Sequence, residues 1–172
     1  TWLPTINHKV LGLDGQIAVQ AASAFAMAIA LGRFVAGLIV ARTGWLALLL
    51  GCLGGMALIL IAVPSLVSAN AVPVSNWGSL PMVAYLLPAI GFFMAPIYPT
   101  LNSVVLSAVP KHRQAGLIGL IVVFSALGGT TGSRMVAVLF SSEPSAQVLY
   151  SLLIPIGLLM VATLWLSRLT KA

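Results

Sequence analysis

Five long apolar runs, separated by short connectors, constrain this chain more than any other feature. They cover roughly residues 16–41, 45–67, 82–109, 115–140 and 147–166. Each is about 20 to 28 residues long. As a helix rising 1.5 Å per residue, each can cross a hydrocarbon core of about 30 Å. The runs are apolar on all sides and rich in Ala, Leu and Gly. They lack the alternation of barrel strands, which are about ten residues long. A helix satisfies its own backbone hydrogen bonds in lipid. The predicted fold is therefore an all-α polytopic membrane protein with five transmembrane helices.

Composition excludes the main competing classes. Of 172 residues, 60% are hydrophobic and 6% are charged, and the mean hydropathy is +1.13. A soluble domain is about one quarter charged, so a soluble enzyme or binding module is ruled out. The eight Lys and Arg are scattered among apolar runs. Nucleic-acid binding needs them gathered on one face. The expected surroundings are a lipid bilayer, with no nucleic-acid partner.

Chemistry-bearing residues are few. Cys52 is the single cysteine, so no disulfide can form within the chain. His8, His112, Asp14 and Glu143 all fall in connectors. No span holds a nucleophile with a base, or a cluster of metal ligands. No catalytic residue, metal or cofactor is expected, and the chain reads as a non-enzyme. It begins at Thr1 with no signal-peptide pattern, which reads as the cut end of a longer protein.

Basic residues set the orientation. Arg42, Lys111, Arg113, Arg168 and Lys171 fall on one side of the five-span path, and Lys9 and both acids on the other. The positive-inside rule makes the side of Arg42 and the C-terminus cytoplasmic. An outer N-terminus ahead of five spans fits a chain that has lost a preceding helix. Trp2, Trp45, Trp77, Tyr150 and Trp165 fall near span ends, where amphipathic rings anchor at headgroups.

Small and polar residues then differentiate the spans. Rows at helical spacing (Ala24, Ala28, Gly32 and Ala36; Gly51 and Gly55; Gly91 and Ala95; Ser125, Gly129 and Ser133) predict close helix packing. The second and fifth spans have almost no polar residues in their middles, and are expected to face lipid. The first, third and fourth carry Gln20, Ser23, Arg33, Tyr98, Thr100, Asn102, Ser103, Ser125, Thr130, Thr131 and Arg134. Polar groups are costly against lipid, so these spans should line a cavity. Pro88, Pro96 and Pro99 break the third span, as is tolerated where a helix borders a cavity. Tyr98 and Asn102, four apart, share a face and offer hydroxyl, ring and amide to a polar solute. Arg33 and Arg134 are the charges inside spans, read either as snorkelling or as gating groups.

The stretch Gly32-Arg33-Phe34-Val35-Ala36-Gly37, continuing to Arg42-Thr43-Gly44, resembles the eighth helix and following loop of major facilitator superfamily transporters. That loop usually reads G-x-x-x-D-R-x-G. Gly37, Arg42 and Gly44 match, and Ala41 stands where the acid is expected. The opening TWLPT and VLGLD is similar to the end of helix seven and its outer loop, which assigns residues 1–15 there and 16–172 to the C-terminal bundle. Gly91 to Thr100, with Pro96, Tyr98 and Pro99, resembles helix ten of the fucose–galactose–glucose:proton symporter branch. The Gly128-Gly129 pair is similar to helix eleven of that branch.

The resemblance implies the C-terminal half of a secondary transporter in a plasma membrane, such as a bacterial inner membrane. Its partner would be a missing N-terminal half, and its cargo a small solute such as a sugar moved with a proton. Tyr98, Asn102, Ser125, Thr130 and Thr131 are the expected substrate-binding residues. Gly32, Arg33, Gly37, Arg42, Gly44, Pro96, Pro99 and Arg134 are the expected structural or gating residues. No span holds a carboxylate or histidine, so a proton site is expected outside these spans. The alternative reading is a small accessory subunit of a membrane complex.

Overall fold

The computed structural model describes residues 15–66, 82–142 and 146–169. Thr1 to Asp14, with the suggested end of helix seven, lies outside them, as do Trp77, Glu143 and Lys171. The chain is all α among the described residues. Its helices are α1 (Gly15–Thr43), α2 (Trp45–Leu66), α3 (Met82–Met94), α4 (Ile97–Ser107), α5 (Lys111–Ser142) and α6 (Leu153–Leu169). A 3-10 turn, Ala146–Leu152, leads into α6. Five helical stretches are long and apolar enough to cross a membrane: Ser23–Thr43, Trp45–Pro64, Pro88–Ser107, Lys111–Leu139 and Leu149–Leu169.

Local chemistry explains the joints. One residue, Gly44, connects α1 to α2. It adopts φ +78°, a left-handed conformation that a side chain disfavours. Its N–H donates to the Val40 carbonyl at 3.0 Å and so closes the end of α1. Arg42 lies in that last turn, where a cation complements the helix dipole. Between α3 and α4 the chain kinks at Ala95 and Pro96. Pro96 keeps right-handed angles of φ −82° and ψ −13°, so the two helices form one bent span.

Two span edges differ from expectation. Lys111, His112, Arg113 and Gln114 were expected in a connector, and instead form the first turn of α5. Pro110 needs no N–H at a helix start, and its carbonyl accepts a bond from the Arg113 N–H at 2.9 Å. The fifth span opens as a 3-10 turn rather than as α-helix. Pro155, in the first turn of α6, lacks the donor that would extend the α-helix backwards.

The core corrects the expectation that the second span faces lipid. Leu49, Leu53, Leu60 and Val63 of α2 are almost completely buried, with Ile97, Leu149 and Ile156 packed around them. α2 meets α1, α3, α4, α6 and the 3-10 turn. Hydropathy alone could not reveal this, because acyl chains and a protein interior are equally apolar. On α6, Thr163 and Ser167 are buried. Each hydroxyl donates to its own helix, to Leu159 and Leu164 carbonyls, both at 2.7 Å, so neither is left unsatisfied.

Two glycines set the approach of α1 to α3. A Cβ on Gly32 would strike the Phe92 carbonyl oxygen. Pro96 has no N–H to hold that carbonyl in the ordinary helical ladder. Gly32 thus presents Cα–H to a freed acceptor, a weak contact that recurs between close-packed helices. Two turns earlier on α1, the Phe25 ring would meet a Cβ on Gly91 at 2.9 Å. Phe92 and Phe93 themselves stack edge to face, with centroids 5.6 Å apart.

Candidate functional site

The kinked α3–α4 span presents its polar residues on an exposed arc of α4. At 100° per residue, Tyr98, Asn102, Pro99 and Ser103 fall within about 140° of the helix circumference. Tyr98 is 51% exposed, although it sits in a span that the sequence marks as transmembrane. Its hydroxyl is hydrogen-bonded to the side chains of Asn102 and Ser125. The bond within α4 follows from i, i+4 spacing. The bond to Ser125 joins α4 to α5.

A side-chain clamp holds that helix pair at its other end. The Gln114 amide donates to the Leu106 carbonyl at 2.9 Å and the Val109 carbonyl at 3.2 Å. It adds a donor to the Leu106 carbonyl, which also accepts from the Val109 N–H at 3.3 Å, and caps the Val109 carbonyl just past the end of α4. Sequence reading passed over Gln114. Its signal was an amide one turn past a proline-ended helix.

The predicted substrate residues divide into two groups. Tyr98, Asn102 and Ser125 come together. Thr130 and Thr131 do not join them. They line a separate shallow surface on α5 with Arg134, Met135 and Val138. Arg134 is nine residues from Ser125, which turns it about 180° around the helix. The Thr130 hydroxyl donates to its own helix, to Ala126 and Leu127 carbonyls at 2.9 and 3.0 Å.

The predicted structural residues converge elsewhere. An open groove of about 370 Å³ lies between α1 and α4, and Arg33, Gly37, Pro96, Pro99, Thr100 and Ser103 line it. Gly32 lies one turn away at the α1–α3 contact. Arg42 and Gly44 lie at the end of α1. Gly37, Gly128 and Gly129 face open space, with nothing within 4 Å of an added Cβ.

Helices that satisfy the length and apolarity of a bilayer, with a polar arc on a proline-bent span, define a polytopic membrane protein. The profile of the Major Facilitator Superfamily matches residues 1–133, and the chain belongs to that superfamily of membrane transporters. No curated protein and no solved structure matches the chain.

Proposed function

We propose that this chain is most of the C-terminal helical half of a secondary active transporter. It moves a small polar solute by alternating access, rocking against a second half around a central site. The observation that carries the reading is the hydrogen-bonded trio in which Tyr98 and Asn102, on the bent span, meet Ser125 of α5 beside an exposed arc of α4. Hydroxyl, amide and ring together suit a hydroxylated solute. The resemblance to sugar:proton symporters supports a sugar skeleton and proton coupling, with the proton-carrying group outside these spans. Arg42, Lys111, Arg113 and Arg168 at one set of helix ends support a cytoplasmic C-terminus in a plasma membrane.

The test is uptake of hexoses and hexose acids into proteoliposomes holding the full-length protein. Asn102→Ala should raise KM about tenfold, the cost of one or two lost hydrogen bonds, with yield and Tm unchanged. Unchanged uptake kinetics in that variant would overturn the assignment. The accessory-subunit reading makes a different prediction for intact mass. A half-transporter gives a full-length protein of about twice 17.8 kDa or more, and an accessory subunit does not.

A further inference from the structure

Arg33 is a charge deep inside a membrane helix. It lies about 15 Å by helical rise from the end of α1 at Thr43, and about 6 Å from the helix midpoint. A cation at that depth calls for an opposite charge or a water-filled cavity. The described helices contain no acid. The two acids of the chain, Asp14 and Glu143, lie outside the described residues.

What Arg33 meets instead is the groove against α4, where Thr100 and Ser103 contribute hydroxyls. A guanidinium is all donor, and a hydroxyl adds a further donor. Such a set selects a ligand rich in acceptors, and charge-assisted bonds favour a carboxylate or phosphate. Around α4, Pro99 and Ser103 continue the same exposed arc as Tyr98 and Asn102. Thr100, about 200° from Tyr98, belongs to the groove alone, so Pro99 and Ser103 are the border that the groove of Arg33 shares with the arc of the trio. Arg134 takes no part, since it faces the other side of α5.

We infer that Arg33, with Thr100 and Ser103, is the anion subsite for the transported solute, and that the solute is a hydroxylated anion such as a sugar acid or sugar phosphate. The inference rests on the transporter reading above and names the substrate class for it. The trio reads the hydroxyls and Arg33 reads the charge.

The test is thermal stability of the full-length protein in nanodiscs of zwitterionic lipid. The probes are gluconate and inorganic phosphate, with glucose as the uncharged match to gluconate. Gluconate should raise Tm with concentration, and its apparent affinity should fall about tenfold or more in Arg33→Gln. Glucose should act more weakly on the wild type and be indifferent to Arg33→Gln. Thr100→Val, which keeps shape and charge, should weaken the gluconate response about threefold. It keeps the test decisive if Arg33→Gln fails to fold. The inference is overturned if neither anion shifts Tm, or if gluconate acts equally on the wild type and both variants. A partner-helix carboxylate already paired with Arg33 would give the first of these results. A gluconate shift in a protein that takes up no solute would uphold the subsite and count against transport.

Discussion

α2 and α5 are both long apolar helices, and they occupy opposite positions in the molecule. α2 is apolar along its whole length and forms the core. α5 carries Ser125, Thr130, Thr131 and Arg134, packs chiefly on α4, and has no buried side chain among those described. In water the more apolar helix goes inside because water is expelled from it. In a bilayer that force is absent, since acyl chains are as apolar as leucine. Shape decides instead. α2 is buried because it offers a surface its neighbours can fill, and α5 leaves its polar groups exposed.

The contrast is broken most severely at the glycines. Gly32→Ala would drive a Cβ into the Phe92 carbonyl, a backbone atom that cannot rotate away. The expected cost is about 3 kcal/mol, the upper end for overpacking a tight contact. Gly129→Ala, on the open surface of α5, should be neutral or stabilise by up to about 1 kcal/mol through helix propensity. Tm and the monodisperse fraction in detergent check both. Equal values for the two variants would mean that the α1–α3 contact is not the close approach described here.

Leucine truncation probes the same contrast more gently. Leu53 is buried in α2 and Leu127 is exposed on α5. Leu53→Ala should cost about 2 kcal/mol, the low end for a buried leucine, because lipid removes part of the transfer term. Leu127→Ala should stay within about 0.5 kcal/mol. A large loss at Leu127 would reveal a partner seated on α5 in the bilayer. That result would sharpen the half-transporter reading rather than damage it.

Much of this was legible in the sequence, and particular residues show where legibility stopped. The five spans follow from apolar length, and the bend at Pro96 from a proline without a donor. Tyr98 and Asn102 share a face by spacing alone. Burial of α2 was not legible, since no hydropathy pattern separates lipid from protein. The small-residue rows looked alike at Gly32 and Gly129. Only the Phe92 carbonyl opposite Gly32 distinguishes them, and no local sequence records what stands across a helix contact. Ser125 groups with α4 by polarity, and its side chain meets Tyr98 there. Thr130 and Thr131 were grouped with it on polarity too, although they lie five and six residues away, about 140° and 240° around the helix. The helical wheel held that distinction.

The smallest expected effect sharpens the division within α5 itself. Ser125 is hydrogen-bonded to Tyr98, so Ser125→Ala removes one bond from the trio and should raise KM about fivefold, the effect of roughly 1 kcal/mol. Thr131 lies on another face of the helix, in the surface shared with Arg134. Thr131→Val keeps its shape and should change KM by less than about twofold. Measuring both in one proteoliposome assay makes the pair internally controlled, because each variant alters one hydroxyl on the same exposed helix. Equal effects would mean that α5 turns during the transport cycle, or that both of its faces border the solute path. Then the trio would be one end of a longer polar track rather than the site itself.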